Sequence, residues 1–580
     1  MLNISKIPLF FLFFSCLTFS FYSGCEDNNN VSNNQENNLN NDAGHDLIDI
    51  DSDMDSSVPD CSEHAFEEVK IPMGDGAELA ATIRKPINPD CTLPTILIQT
   101  PYGKENSFNI WFEDENPGPL FASTDYNFVV MDWRGFFGSA SAPENPSRTN
   151  YGFDGYDAVE WIARQNWSDG QVGTWGVSAL CRVQYETAVF SPPHLKAIVP
   201  VFCALNNGYQ QYYPGGVLRR EYVDFVTSYF GGSPQLYEEH PYQDNVWNYL
   251  GSVLDISNIL VPALVVSGWY DLYNTATINN YQGLVNTAPS QLENQHRLLI
   301  GPWHHFSQGG ESTMGRPLTE QEMLYYDSNK EVQSKSLQFF DFHLRAMGEL
   351  PEEQVEYKPD GSNEFLLAGS WPPTSTEVNN YYLCESGLAL SPQSLESSYQ
   401  YEYNPEDPSP SIGGQTIMPD YYHGPAYLDE VISREDNLVL TYPVLEDLHL
   451  EGTMSANLEV TTSAPDTDFA VRITKVDSDG RHLLIGEGIR RLKLREQYTA
   501  PSEVVPGQRY EINIPITNHH GFWFSPGDRL GIIITSSNYP RFDINPNTGE
   551  DFYDTDAQIA VNTVYFNENS YLSITTRANK

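Results

Sequence analysis

Two textures divide the chain beyond its first sixty residues or so. Between about residues 66 and 350, short apolar runs end in turn or polar residues: "TILIQTPY" (95–102), "NFVVMDWRG" (127–135), "GQVGTWGVS" (170–178), "LKAIVPVF" (195–202), "PALVVSGWYD" (262–271) and "HRLLIGPWHH" (296–305). Runs of this kind predict strands buried on both faces. Between them lie segments with apolar residues at helical spacing, such as "GYDAVEWIARQ" (155–165), and "LQFFDFHLRAMGEL" (337–350) closes the region as an amphipathic helix. Strands alternating with helices predict a doubly wound, mainly parallel sheet over 66–350, whose chemistry belongs at the C-terminal strand ends. Residues 205–258, aromatic and helical in flavour, interrupt the alternation and read as an inserted cap.

From 351 to 580 the pattern changes. "NLVLTYPV", "LHLEGTMSANLEVTTSA", "RYEINIPITN" and "DRLGIIITSSN" alternate apolar and polar positions between Gly, Asp, Asn and Pro turns. This is the signature of an antiparallel β-sandwich.

The N-terminus follows neither pattern. One lysine, an apolar stretch from Ile7 to about Tyr22 and then "SGC" predict a signal peptide over 1–24, with Cys25 as a lipidation site of the bacterial lipoprotein type. An ordinary signal peptide or an uncleaved anchor is the alternative, and Tyr22 is a departure from the lipoprotein pattern. No later segment approaches the ~20 apolar residues that a spanning helix needs. Residues 25–65 are rich in Asn, Asp and Ser, too poor in large apolar side chains to offset their ordering entropy, and read as a disordered tether. The expected location is the bacterial cell envelope, either anchored by lipid or secreted.

Composition narrows the function. A length of 580 residues predicts more than one domain. Only 31 basic residues stand against 78 acids, for a formal charge of −47, so nucleic acid is excluded as a partner. Export permits disulfides. Cys61–Cys91, both in polar loops flanking the first strands, is the preferred pair, with Cys181–Cys203 a further option. No Cys or His cluster has metal-ligand spacing, and no metal or organic cofactor is expected.

Ser178 follows "GQVGTWGV", Asp271 follows "PALVVSGWY" and His305 follows "HRLLIGPWH". A serine hydroxyl needs a histidine to take its proton and a carboxylate to orient that histidine. In an α/β-hydrolase these occur in the order Ser, Asp, His, each just past a strand. Taken singly, each has a bland explanation: a turn serine, a helix cap and a hydrogen-bonded loop histidine. Their joint order and placement favour a catalytic triad.

Several separate motifs resemble the CocE/NonD family of serine hydrolases, which takes in esterases of the cocaine esterase type, α-amino acid ester hydrolases and X-Pro dipeptidyl-peptidases. They are "TPYGK" (100–104), "DWRGFFGSAS" (132–141), "SGWYD" (267–271), "GPWHH" (301–305) and, further on, "SAPDTDFAVRITKVDSDGR" and "SSNYPRFDINPNTGE". The resemblance implies an α/β-hydrolase domain with a helical cap and a C-terminal jelly roll. It implies Ser178, Asp271 and His305 (rather than His304) as the triad, with the Tyr102 hydroxyl and the Ala179 amide as oxyanion donors. Two positions depart from the family elbow G-x-S-Y-x-G: Ala179 stands for its tyrosine and Cys181 for its last glycine. Trp269 and Trp303 could wall the pocket or pack in the core, and Asp132 and Arg134 read as a structural pair. The cap aromatics of "NGYQQYYPGG" (207–216) could line a pocket or pack among themselves. Glu238, Glu239, Asp244 and Glu311 could meet a substrate amine, but no motif places them and a solvated surface is their expected home.

The expected activity is cleavage of a carboxylic ester or amide through an acyl-enzyme, on a small-molecule or peptide substrate. X-Pro dipeptidyl-peptidase activity is the alternative within the class. An inactive surface binding protein on a hydrolase fold is the alternative outside it, motivated by Ala179 and Cys181.

Overall fold

The computed structural model describes residues 59–108, 120–144, 151–205, 208–251, 254–307, 328–552 and 556–578. The predicted signal peptide, Cys25 and most of the predicted tether lie outside the described residues.

The first ten strands form one sheet: β1 (His64–Pro72), β2 (Glu78–Pro86), β3 (Leu93–Thr100), β4 (Asn127–Asp132), β5 (Ser168–Val177), β6 (Leu195–Val201), β7 (Leu264–Tyr270), β8 (Arg297–His304), β9 (Val355–Tyr357) and β10 (Leu366–Ala368). Their spatial order is β1-β2-β4-β3-β5-β6-β7-β8-β9-β10. From β4 to β9 every pairing is parallel, and β1–β2, β2–β4 and β9–β10 are antiparallel. Successive side chains alternate between two cores. Leu97, Val129, Met131 and Val265 pack with Val159, Ile162, Tyr185 and Ile278 from helices on one face. Ile96, Ile98, Phe128, Val130 and Val266 pack with Phe339, Phe340 and Leu344 on the other. That two-sided covering is why the strands read as continuous apolar runs.

Two boundaries differ from the sequence reading. The last residues read as tether are ordered: β1 starts at His64 and pairs with β2, and Cys61 is bridged to Cys91. A covalent tie and a strand partner supply here what composition could not. Residues 355–368, assigned by pattern to the sandwich, instead extend the hydrolase sheet, with Val355 beside Leu298 in parallel register. Three-residue strands carry too little periodicity to reveal which sheet they join.

The segment between β6 and β7 carries short helices, among them Tyr209–Tyr212, Arg220–Phe230, Pro234–Glu238 and Asn245–Leu250. Tyr209, Tyr212, Tyr213, Tyr222 and Trp247 form its core, with Tyr209 and Tyr213 stacked at 5.1 Å. The aromatics of "NGYQQYYPGG" are therefore largely packing residues.

Among the described residues beyond Ala368 the chain forms two antiparallel sheets, of eight and four strands. Leu450, Leu458, Leu572 and Ile574 from the larger face Phe469, Val471, Ile473 and Ile532 from the smaller across one buried core. Each such side chain contributes on the order of 1.5–3 kcal/mol by leaving water.

Candidate active site

β5 ends at Val177, and the helix Ala179–Ala188 begins immediately after Ser178. Ser178 sits at φ 61°, ψ −118°, a conformation that L-residues avoid and that functional sites hold by surrounding contacts. One such contact runs from its amide to the Val201 carbonyl at 3.0 Å. The reversal brings helix and strand so close that a Cβ on Gly176 would lie 2.4 Å from Leu180 Cβ. Glycine is thus required two residues before the serine. Three residues after it, Cys181 occupies the position where the resemblance implies glycine, and it is bridged to Cys203.

β8 ends at His304, and His305 follows it. Its Nε2 lies 3.0 Å from Ser178 Oγ, and its Nδ1 lies 2.6 Å from Asp271 Oδ2. In the neutral imidazole the carboxylate selects the tautomer with its proton on Nδ1, which turns the Nε2 lone pair toward the serine hydroxyl. Asp271 is fully buried, and its other oxygen accepts the Tyr273 amide at 2.7 Å. Phe202, Tyr273 and Phe306 surround the imidazole, with ring centroids 5.5 to 6.3 Å away. An imidazole so held can take a proton from the hydroxyl and return it to a leaving group.

Opposite the histidine, Tyr102 reaches the elbow. Its hydroxyl faces the Ser178 side chain and the Ala179 amide, and burial pushes its pKa above the ordinary tyrosine value. It is therefore a neutral donor at physiological pH. Its backbone is fixed locally: Thr100 Oγ1 accepts the Tyr102 amide at 3.0 Å, and Asn106 Nδ2 donates to its carbonyl at 3.0 Å. Asp132 accepts the amides of Lys104 (2.7 Å) and Gly138 (2.9 Å), tying this loop to the next.

Arg134 pairs with Asp154 and Asp75 rather than with Asp132. The expected Asp132–Arg134 pair is corrected accordingly: the carboxylate is consumed by backbone amides. Trp269 and Trp303 are also corrected as pocket walls. Both are 1% exposed; Trp269 donates to the Lys358 carbonyl at 2.8 Å and packs on Trp371, and Trp303 lies in the core beside Phe365. His304 is buried beside His423 rather than against the serine. Glu238 is bound to Arg220; Asp244 caps the helix Asn245–Leu250 and pairs with His240; Glu239 is exposed. Glu311 lies outside the described residues.

The sandwich contributes contacts that sequence reasoning missed. Gln415 Nε2 donates to the Asp271 carbonyl at 2.9 Å, and Asn518 Nδ2 donates to that of Trp269. The His519 amide donates to Asn274 Oδ1 at 2.8 Å, and Ile417 joins the cap's aromatic core. No local pattern signals these residues, because their partners lie more than 140 positions away in sequence. A cleft of about 1060 Å³ between the cap, the helix Asn274–Thr287 and the sandwich lies behind Asp271; Leu272 and Gln415 line it, and Ser178 does not.

A hydroxyl on a strand-to-helix elbow, backed by a paired imidazole and carboxylate on this sheet topology, defines the class: a serine hydrolase of α/β-hydrolase fold. Comparison with known proteins gives the family. Residues 75–231 and 231–307 match X-Pro dipeptidyl-peptidase (S15 family), and residues 350–573 match the X-Pro dipeptidyl-peptidase C-terminal non-catalytic domain. Cocaine esterase from Rhodococcus sp. (strain MB1 Bresler) is 29% identical over 548 residues, covering 83% of this chain and 92% of the relative. An α-amino acid ester hydrolase has the same fold, with a TM-score of 0.73 at 21% identity over 92% of this chain and 100% of that one. A CocE/NonD family hydrolase from Staphylococcus aureus superposes with a TM-score of 0.64 at 22% identity, over 88% and 94% of the two chains. The chain belongs to the X-Pro dipeptidyl-peptidase (S15) family of serine hydrolases.

Proposed function

We propose that this enzyme cleaves carboxylic esters, and related amides, through an acyl-enzyme on Ser178. The line Asp271 Oδ2–His305 Nδ1 (2.6 Å) and His305 Nε2–Ser178 Oγ (3.0 Å) carries the reading. His305 takes the Ser178 proton as Oγ bonds to the carbonyl carbon, while Asp271 holds the imidazolium that forms. Tyr102 O–H and the Ala179 N–H receive the developing oxyanion, so alanine in place of the family tyrosine costs no donor. His305 then protonates the departing group. Water, deprotonated by the same imidazole, releases the acid.

The aromatic side chains beside Tyr102 support an apolar substrate. Tyr229, 42% exposed, lies edge-on to Tyr102 at 5.4 Å and contacts Phe225 and Phe230. The S15 family match supports dipeptide release from X-Pro peptides as the second reading. Ala-Pro-p-nitroanilide against p-nitrophenyl butyrate separates the two, and the butyrate ester is expected to be cleaved faster. The N-terminal sequence supports export and lipidation at Cys25; mass spectrometry of the N-terminal peptide from the native host tests it.

The decisive experiment is fluorophosphonate labelling of the purified protein, mapped by mass spectrometry beside Ser178→Ala. Label on Ser178 that disappears in the variant is expected. A folded wild-type protein that takes no label refutes the catalytic reading in favour of a binding protein.

A further inference from the structure

Cys181 and Cys203 are buried, at 0% and 3% exposure, and bridged across a Cα separation of 5.9 Å. Their surroundings are unusual for a bridge that only staples a fold, because three chain segments meet there, each leading to a different member of the Ser-His-Asp line. Cys181 lies in the first turn of the elbow helix, and its amide donates to the Ser178 carbonyl at 3.0 Å. Cys203 follows Phe202, whose ring packs 6.3 Å from that of His305 and whose backbone is held at φ 56°. The Cys203 carbonyl accepts two side-chain hydrogen bonds, from Thr277 Oγ1 (3.1 Å) and Asn280 Nδ2 (2.9 Å). Both belong to the helix Asn274–Thr287, which begins three residues after Asp271. One residue before Phe202, Val201 accepts the Ser178 amide.

We propose that the Cys181–Cys203 bridge is a positioning element of catalysis, the covalent junction that registers the serine elbow, the wall of the histidine and the helix behind the aspartate against one another. The proposal rests on the catalytic reading of Ser178. The Cys181 side chain ties the first turn of the elbow helix to the strand-end loop of β6 by a bond. Neither cysteine touches the substrate; their effect passes through Ser178 and Phe202. A catalytic array tolerates little displacement, since a shift of about 1 Å costs on the order of 10²-fold in rate.

The test compares two bridges of similar span. Cys181 and Cys203 are 22 residues apart, and Cys61 and Cys91 are 30 apart, so chain-entropy arguments give both a similar stabilising effect. Peptide mapping of the unreduced protein should recover Cys181 and Cys203 in one linked species; free thiols at both overturn the proposal. The double variants Cys181→Ala/Cys203→Ala and Cys61→Ala/Cys91→Ala are then assayed well below their own melting midpoints. The first should lose about tenfold or more in kcat and in fluorophosphonate inactivation rate, with KM within about twofold. The second should lose thermal stability but keep kcat. Thr277→Val, which leaves the bridge intact, should lower kcat by about threefold and keeps the idea testable should the first variant fail to fold. Full kcat in Cys181→Ala/Cys203→Ala, or equal losses in the two double variants, reduces the bridge to a staple. Wild-type protein that takes no label removes the catalytic reading itself, a result distinct from wild-type and variant labelling at the same rate.

Discussion

Tyr102→Phe removes one oxygen from the site and leaves the ring that packs on Tyr229. Two donors face the place where an oxyanion would form: the Tyr102 hydroxyl and the Ala179 amide, both beside Ser178. In the resting enzyme the hydroxyl can contribute no more than about 1 kcal/mol of hydrogen bonding, so deleting it leaves the fold intact. In the transition state the phenol meets a developing negative charge in a desolvated site, where one donor is worth ~10²–10³ in rate, about 2.7–4 kcal/mol. The catalytic loss should therefore exceed the stability loss severalfold. Steady-state hydrolysis of p-nitrophenyl butyrate gives kcat and KM, and urea unfolding gives stability. Because burial pushes the phenol above its ordinary value of 10.0, it stays protonated through neutral pH, and the ratio of wild-type to variant rates should hold constant from about pH 6 to 9. A kcat within threefold of wild type, or a ratio that collapses as pH rises, would refute the assignment of Tyr102.

Gly176→Ala should destabilise by about 2 kcal/mol or more and suppress labelling, because its Cβ would meet Leu180 Cβ at 2.4 Å; a normally labelled, normally stable variant would contradict the elbow packing. Gln415→Ala should cost about 1–2 kcal/mol and reduce kcat, since it removes the 2.9 Å bond to the Asp271 carbonyl; unchanged denaturation and kinetics would make that contact idle. Burial without a compensating charge holds His296 at about 4 and His520 at about 3, below the unfolded value of about 6.5. Their folded pKa values are depressed, so the stability is full above pH 6.5 and is lost as pH falls toward 4, by about 3 kcal/mol each. Calorimetry across that range should show the midpoint falling, and less steeply in His520→Asn than in wild type.

The linear sequence carried whatever is decided within a few residues. Apolar runs such as "TILIQTPY" announce strands because a sheet covered on both faces buries every side chain. The elbow is readable because a serine forced between strand and helix demands glycine two positions earlier. The order Ser178, Asp271, His305 is legible because each residue directly follows its own strand, and strand ends are marked by the loss of apolar character. What the sequence could not carry depends on partners far along the chain. Trp269 and Trp303 look alike as pocket walls or core residues until Lys358, Trp371 and Phe365 are brought against them. Asp132 and Arg134 look like a pair until backbone amides take one and Asp154 the other. Gln415 has no local signal at all; only the docking of the sandwich against the end of β7 brings its amide to the loop that carries the buried carboxylate. Periodicity and turn chemistry are local and so are written in the chain, whereas burial and hydrogen-bond partnership follow from which distant segments share a space, and tertiary packing alone decides that.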